Sequence, residues 1–302
     1  MRKLSTAVKL IKQNRIEFVS SSIQNLGFFF PDKLYLRILF YLKMGHKLNL
    51  KKPQTFNEKL QWLKLYDRNP LYTTLVDKYA VKKYVAEIIG EKYVIPVLGV
   101  WNKADEIEFE KLPHQFVLKT TNGGGGDVII CKEKKSFDSV FAVKHLNQGL
   151  KKKIYKQWRE WPYKNVYPRI IAEPLISDGN ESLTDYKVMC FDGVPKLIQV
   201  HEGRFQNHSQ DFYDSDWNHL PIFQETPLSG SIVEKPPFLD EMLDLSRRLS
   251  QGMSHVRVDW YYAQNKLLFG EMTFYDGSGF YAFDPPEYDV LLGSWINLPI
   301  KK

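Results

Sequence analysis

The chain contains only two cysteines among its 302 residues, Cys131 and Cys190, and its cysteines and histidines form no cluster at metal-ligand spacing. A disulfide framework and a structural zinc site are therefore not expected, and a reducing compartment suits the chain. No apolar run approaches the roughly 18 residues that a membrane span requires. The opening residues also lack the apolar centre and the cleavage site of a signal peptide. We therefore expect a cytoplasmic protein.

Acidic residues are too few to balance the basic ones. The chain has 42 lysines and arginines against 35 aspartates and glutamates, which gives a formal net charge of +7 and a pI near 9.1. This charge favours anionic partners, among them nucleotides, acidic sugars and a membrane surface. We expect no nucleic-acid partner, whereas a peripheral contact with the inner face of the membrane stays open.

The first third of the chain has a helical pattern. Apolar residues recur at three- and four-residue spacing through most of residues 1–92, which predicts a helical N-terminal region. Thr55 before Glu58 has the pattern of a capping box. The same spacing over residues 75–90 predicts one further helix that stops at a glycine.

The rest of the chain contains more predicted strands than helices. Residues 93–172 combine strands with a helical stretch that begins at Phe137, and residues 173–302 contain hairpins and one helix before Gly252. Helices mixed with largely antiparallel hairpins predict an α+β fold. We therefore divide the chain into residues 1–92, 93–172 and 173–302.

Four consecutive glycines stand between two strand-like segments in FVLKTTNGGGGDVIIC, residues 116–131. The stretch has no GK[ST] ending, so it is not a Walker A loop, and its glycines lack the G-x-G-x-x-G spacing of a dinucleotide site. Backbone without Cβ atoms lets N–H groups approach an anion closely, and Lys119 on the first strand would supply positive charge. The pattern predicts a phosphate-binding hairpin, with a merely flexible turn as the alternative.

A second candidate site lies in the hairpin HVRVDWYYAQNKLLFGEMTFY. A three-residue loop over 264–266 would place Asp259 opposite Glu271 and Arg257 opposite Thr273. Facing carboxylates destabilise a sheet unless something neutralises them, and Mg²⁺ selects carboxylate oxygens completed by phosphates and water. We therefore predict a magnesium site, with an exposed acidic pair as the alternative. A two-residue loop would place the two carboxylates on opposite faces. The other face is predicted to be core and comprises Val258, Trp260, Met272 and Phe274.

Two further patterns are less specific. Glu173 ends a strand beside the apolar run that follows it, where an adenine could stack and bond to backbone. Asp185 and Lys187 share one face of the strand DYKVMCF and could hold a ribose hydroxyl and an anion. In both places the alternative is an ordinary charged strand.

Taken in order, these segments resemble the ATP-grasp superfamily, and closely its TupA-like branch, which is associated with teichuronopeptide and other surface-polysaccharide synthesis. The resemblance runs from about Pro53 to Pro285. It rests on the phrases PQTFNEKLQWLKLYDRNPLYTTLVDKYAVKKYV, IPVLGVW, LPHQFVLKTTNGGGG, REWPYKNVYPRIIAEPLI, DYKVMCFDGVPKLIQV, DFYDSDWN and VRVDWYY…GEMTFYDGSG. The resemblance implies a fold of two α+β lobes that clamp a nucleotide, with the glycine hairpin as a lid over the phosphates.

The resemblance also implies roles for individual residues. Lys78 and Lys119 would contact the nucleotide, Glu173 and the backbone that follows it would form an adenine hinge, and Asp185 would hold the ribose. The implied nucleotide site comprises Lys78, Lys119, Gly123, Gly124, Gly125, Gly126, Glu173, Leu175, Ile176 and Asp185.

For the chemical step, the resemblance implies magnesium ligands at Asp259 and Glu271, and Arg257 and Lys187 as groups that stabilise the transferring phosphate. Thr273 departs from the asparagine ligand of many ATP-grasp enzymes. The implied substrate residues are Arg204, Ser278 and Gly279.

The activity implied by the resemblance is ATP-dependent ligation of a carboxylate to an amine through an acylphosphate, with release of ADP and phosphate. ATP and Mg²⁺ are the implied cofactors, and the implied partners are an acidic sugar or glycan precursor and an amino acid or amine.

Two alternative functions belong to other classes of protein. Asp214 and Asp216 have the D-x-D form of a glycosyltransferase metal motif, and the basic helical N-terminus would suit a scaffold that docks on acidic glycan or membrane.

Overall fold

Most of residues 27–92 are helical, as the periodicity predicts. A computed structural model of the chain describes residues 20, 24, 27–123, 127–178, 183–203, 207–230 and 232–300. Between residues 27 and 92 the structure contains the α-helices α1 (Asp32–Met44), α2 (Phe56–Tyr66), α3 (Leu71–Val76) and α4 (Ala80–Ile89). The predicted capping box is present at the start of α2, where the Thr55 side chain accepts from the Glu58 backbone and the Glu58 side chain accepts from the Thr55 backbone. No helix within the described ranges is long and apolar enough to cross a membrane.

The single helix predicted over residues 75–90 is wrong, because Asp77 divides it into α3 and α4. Asp77 is extended, and its Oδ1 accepts from the backbone N–H groups of Tyr79 at 2.9 Å and Ala80 at 3.1 Å. This local bonding competes with the helix and starts α4 anew. As a result Lys78 lies in the connection, where its backbone N–H donates to the Thr121 carbonyl at 3.4 Å.

The middle of the chain forms a four-stranded antiparallel sheet with two helices. Its elements are β1 (Gly99–Trp101), β2 (Phe116–Thr120), β3 (Val128–Cys131), α5 (Ser139–Leu150), α6 (Ile154–Trp158) and β4 (Ile170–Pro174). The strand order is β1-β4-β2-β3. Strands β2 and β3 form the predicted glycine hairpin, with Lys119 opposite Val128. Gly124, Gly125 and Gly126 lie outside the described residues.

The remaining chain contains a six-stranded antiparallel sheet, in the order β10-β9-β5-β6-β7-β8. The strands are β5 (Asp185–Phe191), β6 (Val194–Glu202), β7 (Ser209–Asp214), β8 (His219–Leu220), β9 (His255–Ala263) and β10 (Lys266–Thr273). Helix α7 (Leu239–Leu249) precedes β9, and helix α8 (Glu287–Ser294) follows β10. The α+β class predicted from the sequence is therefore confirmed.

Buried apolar side chains form two cores. The smaller core joins the four-stranded sheet to α5 and includes Phe116, Leu118 and Leu146. The larger core joins the N-terminal helices to the six-stranded sheet, and Leu60 and Trp260 both belong to it. The division at residues 92 and 172 stays a prediction, and the second boundary falls within β4.

Candidate active site

A cavity of about 640 Å³ lies between the two sheets. Strands β2, β3 and β4 line it from the four-stranded sheet, and β5, β9 and β10 line it from the six-stranded sheet. Its lining includes eight of the predicted site residues, namely Lys78, Lys119, Glu173, Leu175, Ile176, Asp185, Lys187 and Glu271. A volume of this size is typical of small-molecule sites.

At the β4 side of the cavity, Glu173 is held by two lysines. Lys119 Nζ lies 2.6 Å from Glu173 Oε2, and Lys82 Nζ lies 2.6 Å from Oε1. Burial by itself would raise the pKa of Glu173, but the charges and hydrogen bonds of Lys119 and Lys82 outweigh it and lower the pKa below its usual value. Glu173 is therefore an ionised, acceptor-only carboxylate at neutral pH.

The hairpin of β9 and β10 differs from its prediction in the turn and agrees with it in the register. The loop has two residues, Gln264 and Asn265, both with left-handed backbone, so the predicted three-residue loop is wrong. A bulge between Phe269 and Glu271 restores the register, so that Glu271 lies opposite Asp259. The bulge shifts β10 by one residue, which compensates for the shorter turn.

The predicted cross-strand pair on one face of this hairpin and the predicted burial of the other face are both present. Arg257 lies opposite Thr273. The face predicted to be core is buried throughout and comprises Val258, Trp260, Met272 and Phe274. Glu271 is therefore directed to the opposite face, where it lines the cavity.

Arg257 organises the charges beside Glu271. Its Nε and Nη2 lie 2.7 and 2.8 Å from the two oxygens of Asp259, its Nη1 donates to Asp276, and its Nη2 donates to the Thr273 hydroxyl at 3.2 Å. Glu271 Oε1 is more distant, at 3.7 Å from Nη2. The planar guanidinium thus joins β9 to β10 and to the loop that follows β10.

Asp259 is also held by Lys187, whose Nζ lies 2.7 Å from Oδ2. Burial alone would raise the pKa of Asp259, but Arg257 and Lys187 lower it to well below the usual range. Lys187 Nζ is 3.7 Å from Asp185 as well. Asp185 and Lys187 both line the cavity, as their shared strand face predicts.

The residues present fit a magnesium ion that shares its coordination with a nucleotide. Among the described residues no group of three or more His, Cys, Asp or Glu side chains is arranged to hold a metal by itself. Mg²⁺, however, is bound through one or two carboxylates together with substrate phosphates and water. The Glu271 side chain is 38 % exposed and lines the cavity. Asp259 lies opposite Glu271 but outside the cavity lining, and its oxygens accept from Arg257 and Lys187.

Lys78 connects the glycine hairpin to the Glu271 side of the cavity. Its Nζ donates to the Gly123 carbonyl and lies 3.8 Å from Glu271 Oε2. The break between α3 and α4 is what places this lysine at the cavity, because its neighbour Asp77 is held by Arg169 at 2.6 Å.

Two of the three predicted substrate residues lie outside the cavity lining. Ser278 and Gly279 do not line the cavity, because α2 holds their backbone: Gln61 Nε2 donates to the Gly279 carbonyl at 2.7 Å, and Lys64 Nζ donates to the Ser278 carbonyl at 2.8 Å. The Ser278 hydroxyl donates to Glu160. Arg204 lies outside the described residues.

The D-x-D sequence forms a turn. Asp214 Oδ1 accepts from the backbone N–H groups of Asp216 at 3.0 Å and Asn218 at 2.8 Å, and Oδ2 accepts from the Asn218 amide at 2.8 Å. Neither aspartate lines the cavity. This bonding accounts for the pattern as an Asx-type turn between β7 and β8.

Sequence reasoning missed three residues at the site. Lys82 pairs with Glu173, Asp276 pairs with Arg257, and Gln199 Nε2 donates to Asp276 at 3.0 Å. The spacing of Lys82 four residues after Lys78 was an available signal for a shared function. Nothing in the local sequence indicates that Gln199 reaches Asp276, because the contact spans 77 positions.

The two sheets and the charged cavity between them define an α+β protein with a site large enough for a small molecule. A family model described as TupA-like ATPgrasp matches residues 58–297, so the chain belongs to the TupA-like ATP-grasp family. The resemblance found in the sequence is thereby confirmed.

Several solved structures are similar to this chain. The D-alanine–D-alanine ligase of Bacillus anthracis in complex with ATP has 16 % identity and a TM-score of 0.39 over 67 % of this chain and 54 % of that chain. The D-alanine–D-alanine ligase of Helicobacter pylori has 14 % identity and a TM-score of 0.44 over 82 % of this chain and 68 % of that chain. The ATP-grasp ligase PsnB with minimal precursor, Mg and ADP has 13 % identity and a TM-score of 0.38 over 72 % and 57 %. This chain thus spans about half the length of the B. anthracis enzyme. No curated protein sequence matches it.

Proposed function

We propose that the protein is an ATP-dependent carboxylate–amine ligase. The observation that carries this proposal is the cavity itself, which combines apolar walls with cationic and anionic side chains at its edges, in a chain of the TupA-like ATP-grasp family. Lys78, Lys119 and Lys187 supply positive charge for phosphates, and Glu271 supplies a carboxylate for a divalent cation.

The proposed nucleotide orientation follows from the chemistry of the lining. The base would lie against Glu173 and the backbone of Leu175 and Ile176, and Asp185 would accept from a ribose hydroxyl. The phosphates would extend toward Lys119 and Lys78, below the glycine hairpin. Glu271 and Asp259 would hold Mg²⁺, which when bound supplies charge neutralisation at the phosphates.

The proposed reaction has two steps. An oxygen of the substrate carboxylate bonds to the γ-phosphorus while the bond to the ADP oxygen breaks, which gives an acylphosphate and ADP. The nitrogen of an amine then bonds to the carbonyl carbon, the C–O bond to phosphate breaks, and the amine gives up a proton. Arg257 and Lys187 would provide fixed positive charge near the transferring phosphate. Closure of the glycine hairpin would exclude water from the acylphosphate.

The substrates are proposed at the level of chemical class. A basic chain suits an acidic sugar or glycan precursor as the carboxylate, with an amino acid or amine as the second substrate. The association of the TupA-like branch with surface polysaccharides supports this choice. Arg204 and the Ser278–Gly279 segment remain the proposed acceptor residues. We place the reaction in the cytoplasm, at or near the inner face of the membrane.

Isotope transfer tests the reaction type. A panel of uronic-acid glycan precursors, each labelled with ¹⁸O in the carboxylate, is incubated with MgATP and a mixture of amino acids, and the released phosphate is analysed by mass spectrometry. An acylphosphate route places one ¹⁸O in each released phosphate, because the bridging oxygen comes from the carboxylate. Phosphate without label, released in step with product, would contradict the route.

Variants test the site within the same assay. Lys119→Ala and Glu271→Ala should each slow ADP formation at least about tenfold, which corresponds to about 1.4 kcal/mol in the barrier. Lys266→Ala is the control, since Lys266 is exposed in the same hairpin as Glu271. Unchanged rates in both folded site variants would refute the assignment.

The glycosyltransferase alternative predicts turnover of a nucleotide sugar that depends on Asp214. The turn bonding of Asp214 and its position away from the cavity favour the ligase. Hydrolysis or transfer of a UDP- or GDP-sugar that is lost in Asp214→Ala would reverse this preference.

A further inference from the structure

Glu173 receives two lysines, and only one of them faces the cavity. Lys119 lines the cavity, whereas Lys82 lies outside its lining, with a side chain that is 12 % exposed. Lys82 Nζ also donates to the Ile95 carbonyl at 2.7 Å, and Ile95 does line the cavity. One buried ammonium group thus fixes two points of the wall where the base would lie.

The bonding of Glu173 limits what its carboxylate can recognise. Each oxygen of an ionised carboxylate has two acceptor positions and no proton to donate. Lys82 occupies one position on Oε1 and Lys119 occupies one on Oε2. The remaining positions can only accept a hydrogen bond, and Glu173 lines the cavity where the base would lie.

Purine bases differ at the atom that such an acceptor would meet. Adenine carries an exocyclic amino group, which donates, whereas guanine and hypoxanthine carry an oxygen at the same ring position, which accepts. An oxygen placed against an acceptor-only carboxylate leaves both groups without a hydrogen bond. Mismatches of this kind in a buried polar site are rejected strongly.

We propose that Lys82 is a positioning residue that sets the selectivity of the cavity for 6-amino over 6-oxo purine nucleotides by holding Glu173 as a fixed hydrogen-bond acceptor. This inference rests on the proposed function, since it requires ATP in the cavity. Lys82 acts through Glu173 and does not touch the base.

Lys82 suits this role better than Lys119 for two reasons. Lys119 is also proposed to contact the phosphates, so its ammonium group would have two partners, Glu173 and the nucleotide. Lys82 is on α4, whose buried residues Val81 and Val85 anchor the helix in the larger core. The rigid helix therefore keeps the Lys82 ammonium in place whether or not a nucleotide is bound.

The test compares ATP with ITP, in which an oxygen replaces the 6-amino group and the adjacent N1 carries a proton. Dissociation constants of both Mg-nucleotides are measured by calorimetry for wild type, Lys82→Met and Lys83→Met. Lys83 is the matched control, because it is the next residue and its side chain is 86 % exposed. Wild type and Lys83→Met should prefer ATP by at least about 30-fold, and Lys82→Met should reduce this ratio at least about fivefold.

A second variant keeps the test decisive if Lys82→Met does not fold. Glu173→Gln can donate as well as accept, so it should bind ITP better relative to ATP than wild type does. An unchanged ATP-to-ITP ratio in folded Lys82→Met, or in Glu173→Gln, overturns the inference while ATP binding stands. Failure of wild type to bind MgATP at all overturns the proposed function itself.

Discussion

At the scale of single residues, the site depends on charges that are buried together. Arg257 contacts Asp259, Asp276 and Thr273. The hairpin pattern predicted a metal role for Asp259, whereas the role of Arg257 was suggested by the family resemblance alone. The hairpin pattern predicted that Arg257 and Asp259 share a face. It did not predict that Arg257 neutralises Asp259 directly, because the direction of a long side chain depends on neighbours that are distant in sequence.

The buried charges make Arg257 important for stability. Arg257→Met leaves the carboxylates of Asp259 and Asp276 without their main partner, so the free energy of unfolding should fall by about 3–5 kcal/mol in urea titrations. Arg247→Met is the matched control, because Arg247 pairs with Asp244 and its side chain is 50 % exposed. The control should change stability by less than about 1 kcal/mol. Equal losses in the two variants would contradict the account.

Lys64 should make stability depend on pH. Burial lowers the pKa of Lys64, with Glu160 opposing the shift. A lysine whose pKa is lowered in the fold binds fewer protons there than in the unfolded chain, whose lysine pKa is about 10.4. The unfolding free energy should therefore rise from neutral pH toward pH 9. Chemical denaturation of Lys64→Met should show a shallower rise than wild type, and equal slopes would mean that Lys64 is not the group responsible.

At the scale of elements, local patterns predicted most helices and strands, including α1, α2, β5 and the glycine hairpin. They failed where a side chain or a bulge overrides periodicity. Asp77 ends one helix and begins the next through its own hydrogen bonds. The bulge at Gly270 depends on cross-strand packing, which a strand pattern does not reveal, and the error in turn length was hidden because the bulge compensates for it.

The bulge itself can be tested at Gly270. A Cβ at this position would lie 3.0 Å from the Tyr261 ring and 3.1 Å from the Asp259 carbonyl oxygen. Gly270→Ala should therefore shift β10 and lower the unfolding free energy by about 1–3 kcal/mol, as overpacking does. Lys266→Ala, an exposed change in the same strand, should be close to neutral. A Gly270→Ala variant as stable as wild type would contradict this prediction, because it would show that β10 accommodates the added methyl group.

At the scale of the whole molecule, the cavity depends on both sheets, and this arrangement could not be read from the sequence. The N-terminal helix α2 contacts the C-terminal helix α8 and the residues after it, with the Asn57 backbone 3.0 Å from Asp289 Oδ1 and Lys59 Nζ 2.8 Å from the Ile296 carbonyl. These contacts span more than 200 positions. Periodicity predicts that such elements exist, whereas their partners are set by tertiary packing.

Because the lining comes from both sheets, a bound nucleotide should protect both from hydrogen exchange. MgATP should slow amide exchange in the β2–β3 hairpin and in β10 together, relative to Mg²⁺ alone. Strand β8, which contributes no residue to the cavity lining, serves as the internal control. Protection confined to one sheet would contradict a cavity that both sheets form.

The most direct test of the central claim is a calorimetric titration of MgATP into wild type and Lys119→Ala, with UDP- and GDP-sugars titrated in parallel. The account predicts saturable binding of MgATP that weakens at least about tenfold, or about 1.4 kcal/mol, in the variant, and no comparable binding of the sugar nucleotides. Binding of a nucleotide sugar without binding of MgATP would contradict the account and favour the glycosyltransferase.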